Sequence, residues 1–533
     1  MPTSLLIAAL TPLFAIQTTP ALHSWYGGAV NESFGVSFAE LGDINGDSIS
    51  DVVVGATGTE INGSSYIGSV FVYSGSDGSE LFRFDGDQRF ASFGGVVSNA
   101  GDMNSDGVND IIITANAYEV GSLSTCGTVY VYSGADGSLI HQWFGFSAYG
   151  RFGSKARGGS DLDQDGVSDI IIAARLANPN GMSRAGSVYC YSGATGLLIM
   201  QFNGLAADDY FGSALSFLKD ITADGVDEIL VGSPFADPNG MSRAGSVYCY
   251  SGSTGNLLYH WNGADNRNYF GDSLADAGDV NNDGVNDIVV GAPDASPNGI
   301  HEAGAVYILS GADGSLITRL NGLAGFDDFG QEVAGAGDLD GDGFDDVLVS
   351  NPVANFNGFT YSGAVYAYSG SDYSTLFRWI GSHDSAFLGS SIGSIADIDG
   401  DGQTDILISG RDENSPTIND SGGAHIYSGT APPPNFSVAN FVAGQYSLFS
   451  ITGISPNSQV TIGYSLVGPG PINTSYGIVD MTPPIAALAV ISANSIGEAW
   501  HAQLIPLGAA GRSFYTQALC GSELSNSLSL VVQ

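Results

Sequence analysis

The apolar residues of this chain come in short runs that alternate with polar positions, and nowhere do they keep the three-to-four spacing of an amphipathic helix. Stretches such as Gly127-Thr-Val-Tyr-Val-Tyr-Ser-Gly134 and Gly245-Ser-Val-Tyr-Cys-Tyr-Ser-Gly252 combine β-branched and aromatic residues with a period of two. Such side chains fit the pleated surface of a strand. A second kind of run, as in Ile288-Val289-Val290, is β-branched throughout and ends in small residues and Pro, here Gly291-Ala292-Pro293. Asp-Gly pairs at Asp77-Gly78, Asp136-Gly137 and Asp313-Gly314 tolerate positive φ and suit tight hairpins between strands. The pattern predicts an all-β protein, punctuated by 76 glycines.

The pattern also repeats, at a strict period of 59 residues. Asp-rich loops open at Asp43, Asp102, Asp161, Asp220, Asp279, Asp338 and Asp397. A Phe-Gly pair stands nine residues before each of the first six loops (Phe34-Gly35, Phe93-Gly94 and so on to Phe329-Gly330), and Leu388-Gly389 before the seventh. After each loop come the β-branched run, the alternating strand closing on Ser-Gly, and a last strand. That strand ends in an aromatic or Leu two residues before Gly: Phe84, Trp143, Phe202, Trp261, Leu320, Trp379. A fixed long period means one supersecondary unit copied and stacked. Each unit reads as a four-stranded antiparallel sheet, and seven arranged radially make a β-propeller, which leaves only short, protected edges.

The ends of the repeat region favour a closed ring. The seventh repeat reaches its third strand at 422–429 and then meets Pro432-Pro433-Pro434, without a fourth strand. An orphan fourth strand lies at 22–27, with Trp25 in register 59 residues before Phe84. The N-terminal strand is therefore expected to complete the last blade. The predicted organisation is a propeller over 22–429, a Pro-rich linker at 430–435 and a small β-sandwich-like domain over 436–533. Candidate strands of the last part are 446–451, 459–466, 499–504, 513–519 and 528–532. It is nearly uncharged, with only Asp480, Glu498, Arg512 and Glu523.

The loops have the form D-x-D/N/T-x-D-G/S-x-x-D/E, which points to calcium. Side chains at positions one, three and five, the backbone carbonyl at seven and the carboxylate at nine would converge as six or seven hard oxygens, a shell suited to Ca²⁺. These positions are Asp43, Asn45, Asp47, Ile49 and Asp51 in the first loop, and Asp102, Asn104, Asp106, Val108 and Asp110 in the second. The third has Asp161, Asp163, Asp165, Val167 and Asp169; the fourth, Asp220, Thr222, Asp224, Val226 and Glu228. The fifth has Asp279, Asn281, Asp283, Val285 and Asp287; the sixth, Asp338, Asp340, Asp342, Phe344 and Asp346; the seventh, Asp397, Asp399, Asp401, Gln403 and Asp405. The first five positions match an EF-hand, but no Glu stands at position twelve and a strand follows instead of a helix. Six to seven ions are expected. The fourth loop, with a hydroxyl at position three and a longer Glu at nine, is expected to bind most weakly or stand empty. Gly at position six permits a sharp turn; Ser48 replaces it in the first loop and should strain that turn modestly.

Charge narrows the partners. The chain carries 55 acids against 14 bases, a net −41, much of it in the loops. Nucleic acid is excluded as a partner, because phosphate binding needs a basic footprint. The apolar run 5–16 is too short to span a bilayer and resembles the core of a secretory signal over 1–21, although no Lys or Arg precedes it. No transmembrane segment is predicted, and the expected location is the extracellular space, the cell surface or the periplasm. Four cysteines form no disulfide framework. Cys190 and Cys249 occupy equivalent strands of adjacent blades, about 10 Å apart, beyond the reach of a bridge.

Phe-Gly, the Asp-rich loop and Gly-Ala-Pro (intact at Gly291-Ala292-Pro293, near-intact at Gly232-Ser233-Pro234) together resemble the FG-GAP repeat of the integrin α-subunit head. The likeness spans 22–429; Gly-Ala-Pro decays at Ala173-Ala174-Arg175 and Ser409-Gly410-Arg411, and no adhesion domain is inserted between blades. The resemblance implies a seven-bladed propeller that recognises partners on the face opposite the Asp-rich loops. Seven of the 14 bases map to that face: Arg89, Arg151 and Arg267 between blades, Arg175, Arg184, Arg243 and Arg411 between second and third strands. The expectation is a secreted, calcium-binding, non-catalytic adhesion or ligand-binding protein that takes an extracellular protein or glycan. The alternative is a lectin-like propeller, and after it a propeller hydrolase or lyase. Catalysis would need one odd blade with unmatched polar residues, and His383-Asp384 is the single mild candidate.

Overall fold

The computed structural model describes residues 21–430 in full and, from Asn435 onward, ten strands without their side chains. The expected signal segment therefore lies outside the described residues, apart from Ala21. The chain divides into two compact units at Thr430.

Seven four-stranded antiparallel sheets make up the first unit, and they are the blades of a propeller. In blade 1 the strands run, from the axis outward, Phe34–Gly42, Asp51–Ala56, Ser69–Tyr73 and Glu80–Asp85. Blade 7 contains Leu388–Ile395, Asp405–Gly410 and Gly423–Tyr427, and its fourth strand is His23–Tyr26 from the N-terminal end. The closing register pairs Trp25 with Ala424 and Ser24 with His425.

The β-branched second strands are the most buried elements, with every residue of Asp51–Ala56 and of its six counterparts inside. The repeated Phe packs between blades; Phe34, Phe152 and Phe211 are almost wholly buried. The Gly that follows it adopts φ +82 at Gly35 and packs against the carbonyl of Gly423 in the neighbouring blade, where a Cβ would stand 2.5 Å from that oxygen. Position seven of the ring keeps this geometry with Leu388 buried and Gly389 at φ +94, so Leu substitutes for Phe while Gly is retained. Fourth-strand tryptophans then stitch three of the blades, the seventh, second and fourth, to the next one. Indole N–H groups of Trp25, Trp143 and Trp261 donate to the carbonyls of Gly78, Gly196 and Gly314 at 2.7–3.0 Å. Cys126, Cys190 and Cys249 are buried free thiols, as expected; the Cys520 side chain lies outside the described residues.

The C-terminal unit contains two larger antiparallel sheets. One joins Asn435–Ala439, Tyr446–Thr452 and Ala499–Leu504; the other joins Ala486–Ser492, Gln459–Ser465, Ser513–Cys520 and Glu523–Leu524, with Leu528–Val531 also on Ser513–Cys520. All five candidate strands are present within a residue of their expected ends. The strand Ala486–Ser492 was not legible, because alanine has weak strand preference and two prolines stand just before it.

Candidate metal centres and recognition face

Each Asp-rich loop joins the innermost strand of a blade to the second strand, and position nine is the first residue of that buried strand. The third loop shows how the site is assembled. Leu162 at position two is buried, and its N–H donates to Asp169 Oδ2 at 2.7 Å. The other oxygen of Asp169 accepts the N–H of Gly193, at 2.9 Å, from the hairpin between third and fourth strands. A side chain on Gly193 would put its Cβ 1.9 Å from the Ser168 carbonyl, which explains why every alternating strand closes on Ser-Gly. Asp161 at position one accepts the N–H groups of Asp165 and Gly166 at 3.1 and 2.9 Å. Equivalent bonds fix Asp51, Asp110, Asp287, Asp346 and Asp405 between the loop and the hairpin glycine.

The result is convergence of carboxylates. In three loops the oxygens of positions one, three and nine lie within 4.8 Å of one another: Asp161, Asp163 and Asp169; Asp338, Asp340 and Asp346; Asp397, Asp399 and Asp405. Position three is Asn or Thr in the other four loops, so two of these three positions carry a carboxylate there, the fourth loop using Asp220 and Glu228. The position-five acids stand outside the triples, and five of them, Asp47, Asp106, Asp224, Asp342 and Asp401, accept from hairpin hydroxyls. Ser428 and Thr430 donate to Asp401 at 2.9 and 2.7 Å, and Ser371 donates to Asp342. Those hydroxyls were not singled out from the sequence, although in the first, second and seventh loops the donor is the Ser of the Ser-Gly signature.

Burial pushes the position-nine carboxyls up, and the nearby loop acids add to it, against the lowering effect of the backbone N–H groups. Asp110, Asp169 and Asp405 reach about 6, and Asp287 and Asp346 about 7. Buried, mutually repelling carboxylates with no nitrogen or sulfur donor among them form a set that fits a hard divalent cation. The fourth loop differs. Glu228 Oε2 accepts the Ile221 N–H at 2.9 Å, but Oε1 is buried without a partner. The extra methylene carries the carboxylate past the position at which the other loops meet their hairpin glycine.

The opposite face carries a cavity of about 650 Å³ at blades 3 and 4. Of the seven arginines expected on this face, Arg184 and Arg243 line it. Arg184 pairs with Asp208 at 2.7 Å and lies 5.7 Å from the ring centre of Tyr210. Tyr210 packs on Phe235 at 4.5 Å, and Phe235 on Tyr269 at 5.0 Å. Arg243 covers Phe235 at 5.6 Å and donates to the Tyr269 hydroxyl at 3.1 Å. The row Arg184, Tyr210, Phe235, Arg243, Tyr269 is thus fixed by its own stacking. His383 and Asp384 meet other partners: His383 Nε2 accepts the Asn414 N–H and Asp384 accepts the Thr360 N–H, so both serve loop structure.

These features agree with known proteins. The FG-GAP repeat family profile matches residues 211–250, 270–309 and 329–368, from Phe-Gly through the third strand of blades 4, 5 and 6. The chain is 32% identical to integrin alpha-V of Gallus gallus over 225 residues, 39% of this chain and 21% of that protein. It is 33% identical to integrin alpha-5 of Xenopus laevis over 215 residues (38% and 20%), and 30% identical to integrin alpha-4 of Xenopus laevis over 258 residues (45% and 24%). The aligned parts span about a fifth to a quarter of the length of these curated relatives. No helix among the described residues is long and apolar enough to cross a membrane. Repeat, register and ring closure together make this chain an integrin α-like FG-GAP propeller.

Proposed function

We propose that the protein is a secreted or cell-surface ligand-binding propeller, stabilised by calcium on one face and engaging an extracellular protein or glycan on the other, without catalysis. The preformed cavity at Arg184 and Arg243 carries this reading. Its aromatic rings and guanidinium groups are already stacked, so a ligand meets a rigid surface and little ordering cost is left to binding. Similarity to integrin alpha-V and alpha-5 supports an adhesive role. The aromatic row flanked by Arg and Asp also suits the faces and hydroxyls of a sugar, which keeps the lectin-like reading as the second one.

Calcium belongs to the loops. Positions one, three, five and nine, with the carbonyl at seven, would hold it, and the bound ion supplies positive charge to carboxylates that otherwise repel one another. Six to seven ions follow from the seven loops, the fourth being weakest because Thr222 brings no charge and Glu228 is displaced.

The test is a binding array of glycans and matrix proteins, probed with native protein and with Arg184→Ala and Arg243→Ala, in calcium and after chelation. A ligand lost about tenfold in either variant, as expected for an anchoring arginine, supports the reading; a ligand that binds both variants as well as the native protein overturns it. Competition by a free sugar selects the lectin reading.

A further inference from the structure

The innermost strands leave a narrow channel along the propeller axis, with a cavity of about 180 Å³, room for about six waters at ~30 Å³ each. Blade 3 is unlike the others there. Lys155 and Arg157 alternate with Ala156, which is buried in the blade core, so both cations line the channel. At the register of Lys155 the other blades have Ser37, Val96, Ala214, Ser273, Glu332 and Ser391, and Lys155 Nζ stands 3.8 Å from Glu332 Oε1 across the ring. At the register of Arg157 they have Ala39, Ser98, Ser216, Ala275, Ala334 and Gly393. No side chain larger than serine stands at that level, and none is acidic.

Arg157 therefore has an incomplete environment. Its one hydrogen bond in the described structure runs from Nη1 to the carbonyl of the adjacent Ala156 at 3.0 Å, and among the described residues no carboxylate is within ion-pair distance. The channel wall desolvates it, which lowers its pKa from the ordinary arginine value, with Glu332 opposing that shift from the layer above. A desolvated guanidinium without a counter-charge is costly. Channel serines do not relieve it: the hydroxyls of Ser37, Ser216 and Ser273 are turned to backbone carbonyls, and none of them accepts a hydrogen bond from Arg157. The positive donors are Arg157 and Lys155, and Glu332 and Asp272 are the acids that oppose an incoming anion. The net −41 of the chain does not decide the matter, since charges beyond roughly 8 Å are screened at physiological salt.

We propose that the channel binds a small inorganic oxyanion, of the sulfate or phosphate class, against the Arg157 guanidinium, with Lys155 as the second cation. Planar N–H pairs of arginine match two oxygens of such an ion. The site goes beyond the recognition face, from which it differs in position and ligand.

Sulfate is the probe, because phosphate precipitates calcium. Thermal unfolding is followed in calcium-containing buffer as sodium sulfate replaces sodium chloride at constant ionic strength. Native protein should gain stability saturably, about elevenfold in the folding equilibrium at ten times the dissociation constant. Arg157→Ser, which installs the residue of blades 2 and 4, should show only the small unsaturable gain that sulfate gives by exclusion from protein surfaces. In chloride alone the variant should be at least as stable as native protein. Equal sulfate responses in the two proteins overturn the proposal. Should the variant fail to fold, selenate-soaked crystals of native protein decide: an anomalous selenium peak beside Arg157 supports the site, and its absence overturns it.

Discussion

Ser48 adopts φ +72 at position six of the first loop, where the other loops have Gly at φ +87 to +92. A Cβ in the left-handed region costs roughly 1 kcal/mol. The Ser48 N–H still donates to Asp43 at 2.8 Å, so the turn keeps its bond despite the strain. Ser48→Gly should therefore raise the unfolding free energy by about 1 kcal/mol in urea titration, less the extra freedom glycine gives the unfolded chain. No change, or a loss, would show that the serine side chain contributes something the backbone geometry does not reveal. This requirement was legible from the repeated Gly. The left-handed residue at position four was not, because Gly46, Ser105, Gln164, Ala223, Asn282, Gly341 and Gly400 share the conformation without sharing an identity.

Among the elements, the strand that closes the ring carries its own chemistry. His425 occupies the place of Phe71, Tyr130, Tyr189, Tyr248, Tyr307 and Tyr366 in the other blades. Glu413 stands where they have Thr, Tyr or Ala, and Ser24 where they have Arg, Gln or His. The three departures meet: Ser24 Oγ lies 2.9 Å from His425 Nδ1, and Glu413 Oε2 2.8 Å from His425 Nε2. His425 is 3% exposed and keeps ring contacts with Tyr26 and Tyr427, and blade 7 adds to them a buried hydrogen-bond chain that ties the N-terminal strand to its partner. Glu413→Ala should cost about 2 kcal/mol by leaving a buried imidazole nitrogen unpaired. His425→Tyr alone should cost a similar amount, by crowding and desolvating the carboxylate. The double variant, which restores the common residues of the repeat, should recover much of the loss. Additive losses in this cycle would mean the pair is not a coupled unit. The ring and its closing strand were legible because a fixed period exposes a missing element. The chain of contacts was not, since Ser24 and His425 are 401 residues apart and no linear spacing joins them.

At the scale of the molecule, acids are divided between two faces that handle charge differently. On the loop face, converging carboxylates form sets that fit a cation. On the opposite face of blades 5 and 6, Asp294 is surrounded by Asp328, Glu302 and Asp272, and no arginine lies within ion-pair distance of it among the described residues. Burial, then those three acids, pushes Asp294 up to about 6; burial and Glu332 do the same for Asp272. A carboxyl whose folded pKa exceeds its unfolded value near 3.9 favours the folded state fully below that unfolded value, and the contribution is lost as pH rises through about 6. Asp294→Asn removes this loss. With calcium saturating, so that the Asp-rich loops stay filled, the variant's advantage over native protein should be small at pH 4.5 and reach its full size at pH 8. The gain should be on the order of 1 kcal/mol, because solvent at this half-buried site screens the repulsion. Thermal unfolding across that range checks the sign. An advantage that is the same at every pH would place its origin in packing instead of charge, and would remove the argument that this face carries uncompensated negative charge.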